Sequence, residues 1–328
     1  MDTRILGRTG RAVSAIGLGT WQLGADWGDV SETDALRILD AAFESGVTFF
    51  DTADVYGDGR SERMIAAWRR ANPEAAVMVA TKMGRRVEQR RENYVLDHFR
   101  AWTERSRQNL DVDTLDLVQL HCPPTDVYGS DEVFDALDTL VDEKAIAAYG
   151  VSVEETSQAL TAIARPNVAS VQIILNAFRL KPLDEVLPAA GDAGVGVIAR
   201  VPLASGLLSG RYTRETAFAA DDHRSYNRDG SAFDVGETFS GVDYEEGLEA
   251  AREFAELAAS RGLEPATAAL AWVAQLPGVT TVIPGARTVE QARANAAAGE
   301  VPPLGSEFMA AVRELYDRRL RASIHGRW

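Results

Sequence analysis

The sequence predicts an α/β protein, and within that class a closed (β/α)8 TIM barrel, on three observations. Short apolar, β-branched runs alternate with amphipathic helical stretches from Ala15 to Asn295. That alternation occurs eight times, as parallel strands joined by crossover helices require. Charged or polar side chains close several of the runs abruptly: Asp51 after Val47–Phe50, Lys82 after Val77–Thr81, and His121 after Leu115–Leu120. In such barrels the chemistry sits where strands end and loops begin.

Residues 3–15 read as two short strands about Thr9-Gly10, a β-hairpin ahead of the barrel. Barrel strands are expected at 15–19, 47–51, 77–82, 115–121, 146–151, 170–174, 195–201 and 280–284. Ser31 caps the first helix, whose Leu36, Leu39 and Phe43 share one face, and Gly46 stops it. Further helices are expected near 60–70, 92–109, 130–142, 154–164, 183–193, 264–274 and 288–298. A doubly wound open sheet is the alternative, but Gly17-Leu18-Gly19-Thr20-Trp21-Gln22 lacks the third glycine of a dinucleotide fingerprint. Residues 211–242 follow strand seven without sustained periodicity, and a run this long is usually a functional lid or disordered. An extra helix is expected at 243–260, within a C-terminal part that extends the simple repeat. The tail from Arg319 to Trp328 reads either as a flap or as a frayed end. No repeat or linker divides residues 1–328, so one domain is expected although length alone allows two.

Composition narrows the function. A formal charge of −15 over 328 residues repels phosphate backbones and anionic lipid, arguing against nucleic-acid and membrane partners. A phosphate-bearing cofactor would need its own local arginines and helix N-termini. The single cysteine, Cys122, excludes an internal disulfide framework. Paired with His121 it could form a nucleophilic dyad, but neighbours on a strand point to opposite faces, so packing is its expected role. With no apolar leader after Met1 and no run of 18 apolar residues, the expected location is cytoplasmic. No metal site is expected, and oligomeric state is left open.

The central stretch is Phe49-Phe50-Asp51-Thr52-Ala53-Asp54-Val55-Tyr56-Gly57, which presents a carboxylate and a phenol at one strand end. Taken singly, Asp51 could cap a turn, Lys82 could be solvated, Tyr56 could be packing and His121 a satisfied core histidine. Together the four form an acid–base constellation. The chain resembles the aldo-keto reductase superfamily through this stretch and through Gly17-Leu18-Gly19-Thr20-Trp21, Thr81-Lys82 and Leu120-His121. Tyr149-Gly150-Val151-Ser152, Pro202-Leu203-Ala204 with Gly206-Leu207-Leu208, and Ile283-Pro284-Gly285-Ala286-Arg287 continue the match in the family's order.

The resemblance implies reduction of an aldehyde, ketone or sugar carbonyl by hydride from NADPH. Tyr56 would be the general acid, and Lys82 would lower its pKa from the ordinary value of about 10. Asp51 would hold Lys82, while His121 orients the carbonyl oxygen. Ser152 and Gln172 match carboxamide-binding positions, although the asparagine commonly following that serine is Val153 here. Gly19, Thr20, Trp21 and Asp51 would also line the cofactor. Pro202, Leu203, Ser205, Leu207, Ser209 and Arg211 belong to the segment that follows the pyrophosphate. Gly285, Arg287, Gln291 and Asn295 match the family's 2′-phosphate pocket at a helix N-terminus. Arg200 replaces the aromatic residue that stacks on nicotinamide in many relatives. It could stack there itself, or turn to a carboxylate such as Asp234 or Glu237. Substrate walls are expected at Trp21, Trp27, Tyr56, Met83, His121, Tyr128 and Trp328. Two further readings are a nicotinamide-sensing subunit, like potassium-channel β subunits, and a barrel enzyme acting on phosphorylated sugars through Arg287.

Overall fold

The structure, a computed structural model, describes residues 1–24, 30–220 and 222–328. Trp27, one of the expected substrate walls, lies outside the described residues. Strands β1 (Thr3–Ile5) and β2 (Ala12–Ser14) form the antiparallel hairpin, pairing Thr3 with Ser14 and Ile5 with Ala12. The parallel sheet then runs in chain order: β3 (Leu18–Gly19), β4 (Phe49–Asp51), β5 (Met78–Met83), β6 (Leu117–His121), β7 (Tyr149–Ser152), β8 (Val168–Ile174), β9 (Gly196–Arg200) and β10 (Thr281–Val282). The sheet closes on itself. Gly17 N donates to Val282 O at 2.7 Å, Val282 N to Ala15 O at 3.0 Å and Gly19 N to Pro284 O at 3.0 Å. Parallel bridges Ile16–Val282 and Gly19–Gly285 complete the seam.

Around the barrel lie α1 (Glu32–Glu44), α2 (Arg60–Ala71), α3 (Leu96–Leu110), the short α4 (Thr125–Tyr128), α5 (Asp131–Asp142), α6 (Thr156–Ile163) and α7 (Val186–Ala193). After β9 come a single turn α8 (His223–Tyr226), α9 (Tyr244–Ala259), α10 (Pro265–Ala274), α11 (Val289–Ala297), α12 (Ser306–Arg319) and the short α13 (Arg321–Ile324). Ser31 caps α1 by accepting from Asp34 N at 3.1 Å, and Gly46 leaves the helix with φ +86°. The extra elements are α9 and α12, joined by Phe254 against Phe308 and by the Arg319–Glu253 ion pair.

Strand periodicity sorts the side chains into layers. Phe49, Met78, Ala80, Leu117, Ile198 and Ile283 point inward and fill the lower barrel, joined from below by Leu6 and Val13 of the hairpin. Gly7 lets the hairpin come this close: at φ +47°, a Cβ there would lie 2.2 Å from Ala169 O and Gly196 N. Two or four residues further along, at the same parity, stand Asp51, Lys82, Gln119, His121 and Arg200. The mouth of the barrel is therefore polar because its floor is apolar and sealed. Among the described residues no helix is long and apolar enough to cross a membrane.

Candidate active site

Asp51, Lys82, Tyr56 and His121 converge at the C-terminal mouth. Lys82 Nζ forms a buried ion pair with Asp51, donates to Thr52 O at 2.9 Å and lies 3.4 Å from Tyr56 Oη. Asp51 Oδ2 accepts from Gln172 Nε2 at 2.7 Å and Gln119 Nε2 at 3.2 Å. Burial opposes the Lys82 charge, but Asp51 and Tyr56 outweigh it and hold its pKa above the ordinary lysine value. The Tyr56 phenol sits above its own ordinary value. Burial raises it, Lys82 pulls it down, and Asp51 and Glu237 add to the rise. Lys82 thus lowers the phenol as expected, but burial outweighs it and the net direction is upward. His121 is held well below the usual imidazole range by burial and then by Arg85, Lys82 and Arg200, so its ring is neutral. The His121 ring meets Tyr56 edge-on at 6.0 Å between centroids, and Trp21 stacks on the other side at 6.0 Å.

The turn carrying Tyr56 is set by glycine. Gly57 adopts φ +56°, and a Cβ there would lie 1.9 Å from Gly24 O. Only a glycine lets these two backbones touch, and the contact fixes where the phenol points. Thr20 anchors the same turn: its hydroxyl donates to Asp51 O at 2.8 Å and shares a 2.8 Å contact with Ser61.

The remaining expected residues divide by accessibility. Met83 and Tyr128 are fully buried, and Tyr128 Oη donates to Ser152 O at 2.9 Å. Trp328 is also buried. Its ring lies under the Arg179 guanidinium at 4.0 Å, and its Nε1 donates to Asp234 Oδ1 at 3.2 Å. Ser152 is buried beside Cys122 Sγ at 3.3 Å. Burial pushes the Cys122 thiol up to about 12, leaving it inert.

The segment after β9, expected to follow the cofactor's pyrophosphate, is backbone-strained. Val201, Ala204 and Ser205 have φ of +52°, +48° and +54°, values that cost non-glycine residues about 1–3 kcal/mol each and cluster at functional sites. Ser205 Oγ donates to Glu237 O at 2.9 Å and accepts from Phe239 N at 3.0 Å, tying the segment to the long loop. Ser209 Oγ donates to Gly206 O at 2.6 Å, Leu207 is buried and Arg211 is exposed. At the start of α11, capped by Thr288, Arg287 is exposed and its N–H donates to Gln291 Oε1 at 2.7 Å. Asn295 Nδ2 donates to Gly285 O at 3.0 Å.

Arg200 is tied to carboxylates. It pairs with Glu237 and Glu154, the latter at 2.9 Å, and donates to Val153 O at 2.9 Å. Burial opposes its charge, but Glu237 and Glu154 carry its pKa well above the ordinary value. Cys122, Glu154 and Glu237 are grouped closely enough to suggest metal ligands, yet the guanidinium contacts all three. Sequence reading missed Gln119, Glu154, Arg85 and Arg179 in this mouth. The inward parity of Gln119 with His121 was the one available signal.

Comparison with known proteins decides the lineage. The model of the aldo/keto reductase family matches residues 15–317. The chain belongs to the aldo/keto reductase family. A curated member, the aldo-keto reductase YhdN of Bacillus subtilis, is 30% identical over 302 residues, covering 90% of this chain and 87% of its own. Among solved structures, the glycerol dehydrogenase AKR11B4 from Gluconobacter oxydans superposes with a TM-score of 0.79 at 30% identity, covering 97% and 96% of the two chains. An aldo-keto reductase from Klebsiella pneumoniae, solved in complex with NADPH, gives a TM-score of 0.71 at 25% identity and covers 96% of each chain. This aldo-keto reductase is thus an oxidoreductase by family.

Proposed function

We propose that the protein reduces the carbonyl of an aldehyde, ketone or sugar with NADPH, using Tyr56 as general acid. The observation that carries this reading is Lys82 Nζ, shared between the Asp51 carboxylate and Tyr56 Oη at 3.4 Å. A bound nicotinamide supplies hydride to the carbonyl carbon. As charge builds on the substrate oxygen, Tyr56 Oη gives up its proton to it. The Lys82 ammonium stabilises the phenolate left behind, and the mouth's low dielectric strengthens that attraction. Asp51, held by Gln119 and Gln172, keeps Lys82 in register. His121, neutral at working pH, donates from its ring to the same oxygen and keeps it facing Tyr56.

The residues present fit NADPH. The exposed Arg287 at a helix N-terminus, backed by Gln291 and Asn295, offers a charged anion site for a 2′-phosphate. The left-handed residues Val201, Ala204, Ser205 and Gly206 bend the segment after β9, on which Pro202, Leu203, Leu207, Ser209 and Arg211 also lie, and this segment would follow the pyrophosphate. The NADPH complex of the Klebsiella pneumoniae relative supports the same choice.

Two measurements test the reading together. NADPH fluorescence quenching reports cofactor binding, and NADPH oxidation over a panel of aldehydes, ketones and keto-sugars reports turnover. Binding with turnover is expected. Binding without any turnover would favour the sensing subunit, and turnover of a sugar phosphate without nicotinamide would favour the third reading.

A further inference from the structure

We infer that Arg85 is a specificity-determining residue, selecting carbonyl substrates that carry a carboxylate a few bonds from the carbonyl carbon. The inference rests on the reductase reading above and adds the substrate class to it. Arg85 follows β5 through Met83-Gly84, where Gly84 turns the chain at φ +113°. That turn carries the side chain over the end of β6. There Arg85 Nε donates to His121 O at 3.1 Å, and Nη2 makes a long 3.4 Å contact with Glu154 Oε1. A guanidinium has five N–H donors, and these contacts use two. The others have no partner among the described residues, and the side chain stays 28% exposed. Spare donors are thus anchored beside the imidazole meant to face the substrate oxygen. Arg85 also leads the charged groups that depress His121, which agrees with that proximity.

The other cations of the mouth are paired or covered. Lys82 has Asp51, and Arg200 lies between Glu154 and Glu237. Arg179 is covered by the Trp328 ring. Glu154 is closer to Arg200, at 2.9 Å, than to Arg85, at 3.4 Å. Of Lys82, Arg85, Arg179 and Arg200, Arg85 alone is not buried, so it is the cation a substrate can reach. On a chain of net charge −15 an anionic substrate gains nothing from the overall field, so a local cation has to recognise it. A guanidinium edge suits a carboxylate because it can bind both oxygens at once. An uncharged aldehyde leaves those donors in water and gains nothing from them.

The test uses matched substrates, succinic semialdehyde against butanal and 4-carboxybenzaldehyde against benzaldehyde, in the parent, Arg85→Gln and Arg85→Lys. The parent is expected to favour the carboxylated member in kcat/KM by about 10- to 100-fold, the range of a charge-assisted hydrogen bond. Arg85→Gln should remove that ratio mainly through KM, and Arg85→Lys should restore part of it. A residue that only clamps the His121 carbonyl would lower both members alike, which overturns the inference, as does a parent indifferent to the carboxylate. Should Arg85→Gln fail to fold, competition in the parent by butyrate against butyramide reads the same preference, and equal inhibition overturns it. NADPH oxidation absent with every aldehyde sinks the reductase reading and this inference with it. Turnover without preference sinks this inference alone.

Discussion

Asp54 lies two residues before Tyr56 and is fully buried, and among the described residues no side chain hydrogen-bonds either carboxylate oxygen. Burial, followed by repulsion from Glu62, lifts its pKa from 3.8 to about 7, against the pull of Arg86 and Arg105. The folded protein therefore binds more protons at this site than the unfolded chain between those two values. Stability from this group is full below the unfolded pKa and declines as pH rises through the folded one. Asp54→Asn should stabilise the protein by about 1–3 kcal/mol at pH 8 and by little at pH 4. Urea midpoints at the two pH values check it, and an equal shift at both would contradict the assignment. A second residue-scale expectation concerns Arg287. Its replacement by alanine should weaken NADPH by roughly 1.5–3 kcal/mol and leave NADH nearly unchanged, as read by fluorescence titration. Equal Kd values for the two cofactors in the parent would remove the basis for it.

At the scale of elements, the strand ends were legible and the long loop was not. Asp51, Lys82 and His121 announce themselves because each breaks an apolar run, and period-two alternation puts them on one face. The phenol's direction could not be read, since it depends on Gly57 meeting Gly24, a contact between separate turns. The 211–242 segment has no period because its order comes from outside itself. Asn176 Nδ2 donates to Ser240 Oγ at 2.8 Å, Arg200 pairs with Glu237, and the Trp328 ring rests on Gly236 and Gly241. Of the two carboxylates weighed for Arg200, Glu237 takes it, while Asp234 takes the indole N–H of Trp328. The C-terminal tail is thus a wedge under the loop. Trp328→Ala should make residues 211–242 markedly more sensitive to limited proteolysis and cost about 3–5 kcal/mol. A digestion pattern identical to the parent would show that the loop is held without the wedge.

For the molecule as a whole, barrel closure was readable from the count of eight strand signals, although the seam itself was not. The first and last strands are two residues each, and their closure relies on backbone bonds from Ala15, Gly17 and Gly19 to the β10 region. The plug depends on Leu6 and Val13 entering the apolar floor beneath Phe49 and Leu117. Leu6→Ala should destabilise the barrel by about 2–5 kcal/mol, the usual range for a buried leucine, while leaving NADPH affinity at the opposite end intact. Loss of cofactor binding in a variant that remains folded would mean that the two ends are coupled.

In the proposed reaction Tyr56, supported by Lys82, protonates the substrate oxygen. The most direct measurement is a single turnover of bound NADPH with a reducible aldehyde, followed by loss of nicotinamide absorbance, in the parent and in Tyr56→Phe. Nearly equal NADPH Kd values are expected, with a hydride-transfer rate lower by on the order of 10²–10⁴ in the variant. A variant that keeps most of the parent's rate would contradict it and move the acid to His121.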